Sequence, residues 1–153
     1  MAKKKKTSTR KPINPITKLR FLIGRWHTIG EVLQDIPSAP KVIRGMDTYD
    51  WISGGFFILH RVDVFIGNDR TEVIEIIGYD KNQKSYFMKS FDNQGEATTM
   101  YAVLKKPGVL KLGDKKMQAT LTVDKSGNSM IAEWKLSENG KAWKPWMDIR
   151  FSK

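Results

Sequence analysis

The stretch FLIGRWHTIGEV, residues 21–32, decides how this chain folds. It joins an apolar segment typical of a short helix to the first of many segments typical of β-strands. Gly24 is placed to end the helix, since glycine is common just past a helix C-terminus. Trp26 then begins the first strand. Helix signals are missing from the rest of the chain, so we expect the later segments to close into a sheet structure around this junction.

The segment before Gly24 predicts a helix of about two turns. Asn14 followed by Pro15 is typical of an N-cap and first helical position. The apolar face that follows consists of Ile16, Leu19, Phe21, Leu22 and Ile23. A helix this short is not stable alone, and we expect it to pack against one end of a larger body.

Ten short segments rich in β-branched and aromatic residues follow the helix. They cover residues 25–33, 43–51, 55–65, 71–79, 84–91, 96–104, 108–112, 116–123, 129–136 and 143–151. Glycine, proline and Asx turn signals such as Gly67-Asn68-Asp69 and Asp92-Asn93-Gln94-Gly95 separate them, as between successive hairpins. About ten strands without crossover helices predict an all-β antiparallel meander. A sheet that long either splits into a sandwich or closes into a barrel.

Composition predicts one globular domain with a charged tail. The chain has 153 residues, a hydrophobic fraction of 40% and a net charge of +11. Residues 1–12 hold six basic and no acidic side chains, and we expect a disordered tail there, followed by a barrel domain over residues 13–153. Such a tail can contact phosphates, but a solvated solubility tail is the favoured interpretation. A basic stripe with interleaved aromatics is missing, so nucleic acid is not favoured as a partner.

Compartment is predicted from what the sequence lacks. With no cysteine, disulfides, thiolate catalysis and cysteine-ligated metals are excluded. An apolar run long enough for a membrane span is missing, and the basic start is not followed by the apolar core of a secretory signal. The sequence therefore predicts a cytoplasmic protein.

Four motifs resemble the calycin superfamily of lipocalins, fatty-acid-binding proteins and nitrobindin-like barrels. In chain order they are LIGRW at 22–26, Trp51-x-x-Gly54-Gly55-x-Phe57, Ile77-Gly78-Tyr79-Asp80 and Phe91-Asp92-x-x-Gly95. The resemblance covers residues 17–151 and is closest to a bacterial lipocalin-like family with no agreed activity. It implies a single antiparallel barrel in up-and-down order, with the short N-terminal helix at one end.

The resemblance also implies a structural plug at the closed end of the barrel. In calycins the Gly-x-Trp tryptophan lies there, covered by an arginine or lysine near the last strand. Here the plug would be Gly24, Trp26 and, as the covering cation, Arg150. Nitrobindin-like barrels ligate haem through a histidine late in the chain, whereas the only histidines here are His27 and His60. We therefore expect no haem or other cofactor, and no metal.

Polar residues inside the predicted strands are the candidates for a site in the cavity. If Ile58 and Val62 point inward, His60 points inward as a general base, a ligand contact or a hydrogen-bonded interior residue. The opposite parity would turn Arg61 and Asp63 inward, and the apolar strand leaves the choice open. The further candidates for cavity residues are Glu75, Lys89, Tyr101 and Trp134. For Glu75, the solvent-facing orientation is favoured over a buried acid near His60, Arg61 or Lys89. For Lys89 and Tyr101 too, an outward-facing side chain is favoured over one in the cavity.

The sequence predicts binding of a small hydrophobic or amphipathic molecule inside the barrel. P-loop, dinucleotide-binding, zinc-protease and serine-hydrolase motifs are all missing, and the catalytic residues stay unknown. Two alternatives remain open: a cyclase or isomerase acting through His60 or Glu75 in the same cavity, and an interaction module that uses the basic tail. The oligomeric state also stays open, with a homodimer among the alternatives.

Overall fold

A computed structural model describes residues 13–33 and 41–153, so the predicted tail at residues 1–12 lies outside the described residues. Within these ranges the chain forms one 3₁₀ helix, Pro15–Leu22, and ten β-strands. The strands are β1 (Gly24–Val32), β2 (Lys41–Trp51), β3 (Ile58–Ile66), β4 (Asp69–Asp80), β5 (Ser85–Asp92), β6 (Ala97–Lys106), β7 (Val109–Gly113), β8 (Met117–Val123), β9 (Ser129–Leu136) and β10 (Lys144–Ser152). In these two ranges the structure contains no helix that is long and apolar enough to cross a membrane.

The ten described strands form a closed antiparallel barrel in up-and-down order. Each strand pairs with its successor in the chain, and β1 also pairs with β10. Ile29 in β1, for example, lies opposite Arg44 of β2 on one side and Arg150 of β10 on the other. The predicted all-β barrel with a short N-terminal helix is confirmed, and closure through β1 and β10 rules out the sandwich.

Alternation along the strands builds the core. In β8 and β9 the alternate apolar residues Ala119, Leu121, Met130 and Ala132 are all buried. Successive side chains of a strand point to opposite faces, so one set per strand lines the interior of the barrel while the other set faces solvent. The interior therefore has walls of small and medium apolar side chains.

The 3₁₀ helix covers one end of the barrel. Its residues Ile16, Leu19 and Leu22 are almost completely buried. The Asn14 side chain accepts a hydrogen bond from the Ile16 amide as the N-cap, and its amide donates to the carbonyl of Gly55 at 3.1 Å. The hydroxyl of Tyr86 donates to the carbonyl of Pro15 at 2.9 Å. Tertiary contacts of this kind hold a helix that is too short to persist alone.

Trp26 lies directly under this helix. Its ring is fully buried, and Nε1 donates a hydrogen bond to the carbonyl of Leu22 at 2.7 Å. Lys153 covers the ring, with Nζ 4.6 Å from the ring centroid. Gly24 has a φ of +133°, and a Cβ at this position would lie 3.1 Å from Cε of Lys153. The glycine of the Gly-x-Trp motif therefore leaves the lysine room to reach the indole.

The assignment of Arg150 to the plug is wrong. Arg150 lies on the outer face of the barrel, opposite Ile29 and Ile131, and is exposed to solvent. In β10 the side chains of Met147 and Phe151 are buried, so residue 150 points outward by alternation. The cation that covers Trp26 comes from Lys153, just beyond the last strand.

Candidate functional site

The barrel encloses a cavity of about 360 Å³. It extends from Leu22, the last residue of the helix, to Glu96 at the opposite end of the barrel, in the turn between β5 and β6. Most of its wall is apolar, including Val62, Val64, Met88, Met100, Leu110, Leu112, Leu121, Ile149 and Phe151. Pockets of this size and character are typical of sites for small molecules.

A polar cluster interrupts the apolar wall on β2, β3 and β4. The register places Tyr49 of β2 opposite His60, and His60 opposite Glu75 of β4. Asp47 lies two residues before Tyr49 and therefore points to the same side. The side chains of all four residues are buried and line the cavity.

His60 is hydrogen-bonded through both ring nitrogens to carboxylates. Nε2 lies 2.8 Å from Oδ1 of Asp47, and Nδ1 lies 3.0 Å from Oε1 of Glu75. The hydroxyl of Thr28 on β1 donates to the other oxygen of Asp47. The ring of Tyr49 stacks on the imidazole, with ring centroids 3.9 Å apart and planes within 7°. This network crosses four adjacent strands, and the imidazole is held from both edges and from one face.

The carboxylates keep His60 protonated. Burial by itself lowers the pKa of the imidazole, but its hydrogen bonds to Asp47 and Glu75, together with their negative charges, outweigh burial and raise the pKa of His60 to about 9. Burial, followed by the charges of Asp47 and Glu75, also raises the pKa of Tyr49 well above its usual value, so its phenol stays neutral. At neutral pH His60 is a cation that donates from both nitrogens, which leaves it no lone pair to act as a base.

The structure places three of the predicted cavity residues inside the barrel. His60, Glu75 and Trp134 line the cavity, and Trp134 meets Trp146 edge-on with ring centroids 6.2 Å apart. The favoured expectation that Glu75 faces solvent is wrong, because 7% of this residue is exposed and it contacts His60. The sequence left open which face of β3 points inward, and in the structure it is the face that carries His60.

The other three cavity candidates lie on the outside of the barrel, which for Lys89 and Tyr101 is the orientation that the sequence favoured. Arg61 follows His60 in the same strand and points outward, 3.6 Å from the carboxylate of Asp50. Lys89 lies opposite Ile76, with Nζ 5.5 Å from the ring centre of Phe87. Tyr101 is 41% exposed. Each sits on the strand face that alternation turns away from the interior.

Asp47, Tyr49 and Thr28 are site residues that the sequence reasoning missed. Asp47 and Tyr49 share their parity with Ile43, which is buried in the same strand. An acid on the apolar parity of a strand is the signal that could have singled out Asp47. No group of three or more His, Cys, Asp or Glu in the described ranges could hold a metal ion.

The raised pKa of His60 predicts a fall in stability on the alkaline side. A group whose pKa is higher in the folded than in the unfolded state stabilises fully below the unfolded value, near 6.5, and loses that contribution as pH rises through the folded value. We expect the free energy of unfolding to drop by about 3 kcal/mol between about pH 6 and about pH 9. Urea titrations at several pH values measure this slope.

Two histidine variants test whether the titration of His60 causes this loss of stability. His60→Gln keeps a hydrogen-bond donor but has no proton to titrate, and its stability should be nearly flat over the same range. His27→Gln changes the other, solvent-exposed histidine and should keep the full slope. A slope that survives in His60→Gln would contradict the assignment.

Comparisons with known proteins agree with the barrel and give no activity. The family model described as "Protein of unknown function (DUF1579)" matches residues 11–153. The crystal structure of Rv2717c from M. tuberculosis is similar, with a TM-score of 0.63 at 10% identity over 91% of this chain and 97% of that one. A de novo designed fluorescence-activating β-barrel gives a TM-score of 0.44 at 14% identity over 88% of this chain and 94% of that one, a likeness too low to argue from. No curated protein matches the chain significantly.

Proposed function

Because the chain belongs to the family described as "Protein of unknown function (DUF1579)", which brings no activity with it, we propose a function from the cavity itself: the barrel binds a small hydrophobic or amphipathic molecule in its interior. The observation that carries the proposal is the cavity of about 360 Å³ with mostly apolar walls and a buried polar cluster. Apolar walls would supply most of the affinity, and the polar cluster would fix the orientation of the ligand.

A calycin-type barrel is part of the same proposal. A closed meander, an N-terminal helix over one end and a C-terminal cation over the Gly-x-Trp indole support it. The resemblance allows either an arginine or a lysine in that role, and Lys153 fills it. A cytoplasmic location and a solubilising role for residues 1–12 remain predictions from the sequence.

The enzymatic alternative rests on Glu75. Since both nitrogens of His60 are engaged, a proton carrier in this cavity would have to be Glu75, whose second carboxylate oxygen makes no hydrogen bond within the described residues. A cyclase or isomerase would then lose turnover in Glu75→Gln while still binding its substrate. The basic-tail module falls on residues outside the described ranges.

Filling the cavity tests the binding proposal. Ala132 is buried and lines the cavity, whereas Ala97 is exposed on the outer face of β6. We expect Ala132→Phe to abolish binding of an environment-sensitive apolar dye and Ala97→Phe to leave its affinity within about twofold, because only the first change occupies ligand volume. Native mass spectrometry of freshly purified protein would show a co-purifying molecule and the number of subunits together.

Two results would contradict the binding proposal. Equal dye binding by both variants would place the dye outside the barrel. No retained molecule, no dye binding and no thermal shift across a hydrophobic library would show that the barrel is not a binding protein. Circular dichroism of both variants checks that the barrel is intact before these results are compared.

A further inference from the structure

The cavity differs in charge from the rest of the chain. The sequence holds 27 lysines and arginines against 16 acids, with a net charge of +11. Among the described residues that line the cavity there is no lysine or arginine, whereas Asp47, Glu75, Asp92 and Glu96 all contribute carboxylates. A low-dielectric cavity in which one sign of charge is in excess, as here where His60 is the single cation against these acids, attracts ligands of the opposite sign.

The polar cluster is short of one positive charge. Asp47 and Glu75 both accept hydrogen bonds from His60, so a single imidazolium faces two carboxylates. Buried charge is costly unless it is matched by an opposite charge and hydrogen bonds. The remaining charged residues of the cavity wall, Asp92 and Glu96, add negative charge and cannot supply the match.

One carboxylate oxygen in the cluster has no hydrogen-bond partner in the described part of the chain. Both oxygens of Asp47 accept hydrogen bonds, from His60 and from Thr28. Glu75 accepts through Oε1, and within the described residues its Oε2 receives no hydrogen bond. Because 7% of Glu75 is exposed and no fully buried polar atom in the described ranges lacks a partner, this oxygen is open to the cavity.

The hydroxyl of Tyr49 is a second unpartnered polar group in the same wall. Tyr49 is 6% exposed, lines the cavity and stacks on His60, yet no hydrogen bond to its hydroxyl is found within the described residues. A neutral phenol oxygen accepts as well as donates. A group that carries several N–H donors can therefore be received by both Tyr49 and Glu75.

We infer that the ligand is a small amphipathic amine, an inference that rests on the proposed binding function. Its protonated amino group donates to Oε2 of Glu75 while its apolar body fills the cavity. A hydrogen bond between two ionised groups is stronger than one between neutral groups. Trp134 and Trp146 also line the cavity, and aromatic rings attract cations rather than anions. An acid of the same shape, such as a fatty carboxylate, would face four carboxylates and no basic wall residue other than His60.

Three ligands with one body and different head groups test the inference. Octylamine, octanol and octanoate are titrated into the full-length protein near neutral pH, with binding followed by calorimetry and tryptophan fluorescence. We expect the amine to bind at least about tenfold more tightly than the alcohol, in line with a charged hydrogen bond, and the carboxylate to bind most weakly. Glu75→Gln should weaken the amine by about tenfold or more and leave the alcohol within about threefold.

Two further variants keep the test decisive. Glu133→Gln removes a carboxylate from the outer face of β9 and should change none of the three affinities. If Glu75→Gln does not fold, Tyr49→Phe removes a hydroxyl without a partner and should lower the affinity for the amine alone. Unchanged amine affinity in whichever of these two variants folds would overturn the inference.

The two proposals fail in different ways. If the alcohol or the carboxylate binds as tightly as the amine, the barrel is a binding protein and the inference about the amine is wrong. If none of the three molecules binds and no molecule is retained on purification, the binding function itself is wrong, and the inference falls with it.

Discussion

Trp26→Ala is expected to lower the free energy of unfolding by about 3–5 kcal/mol, the usual cost of removing a large aromatic side chain from a core. The indole is fully buried beneath the 3₁₀ helix, and it also donates to the carbonyl of Leu22. Removing the indole leaves a cavity, takes the hydrogen-bond donor from the carbonyl of Leu22 and removes the ring that Lys153 contacts. Urea denaturation, with helix and strand signals followed by circular dichroism, measures the loss.

Three control variants separate the contributions to this effect. Trp51→Ala removes an indole that is 37% exposed and should cost far less. Lys153→Met keeps an apolar stem over the indole but removes the charge, and should cost about 0.5–2 kcal/mol. Arg150→Met should leave stability nearly unchanged, since Arg150 lies on the outer face. If Trp26→Ala kept its stability but lost ligand binding, Trp26 would belong to the ligand site and not to a structural plug.

The fold was predictable because local signals repeat along the whole chain. Each hairpin carries its own turn chemistry, as at Asp92, whose side chain accepts from the amides of Gln94 and Glu96. Sheet closure follows from strand number and order, which depend on such local features. Alternation also identifies the cation that covers Trp26. Residues 147, 149 and 151 point to the inner face of β10, and Lys153 continues that parity, whereas Arg150 does not.

The site was predictable only in part because its contacts are non-local. His60 meets Asp47 and Glu75 across strands, at separations of 13 and 15 residues, and spacing in the sequence does not predict such contacts. In β3 both faces are apolar, so periodicity could not choose between His60 and Arg61. Closure of the barrel makes the choice, because the register that turns Tyr49 inward also turns His60 and Glu75 inward.

His60→Ala is expected to lower the free energy of unfolding at neutral pH by about 3–5 kcal/mol, the cost of leaving buried charges without their partner. The change removes the imidazolium between Asp47 and Glu75 and the ring on which Tyr49 stacks. Two carboxylates would then remain in an apolar wall. Denaturant titration near neutral pH measures the loss, and a value within about 0.5 kcal/mol of the unmodified protein would contradict the described network.

A charge-neutral triple variant separates charge from packing in this loss. Asp47→Asn, His60→Gln and Glu75→Gln made together keep polar side chains at all three positions and remove every charge. If unpaired charge causes the instability of His60→Ala, the triple variant should be clearly more stable than the single one, because replacing a whole buried ion cluster costs less than breaking it. Equal instability would assign the effect to lost packing. In that case the carboxylates would tolerate burial without His60, and the charge deficit that favours a cationic ligand would be smaller than the geometry indicates.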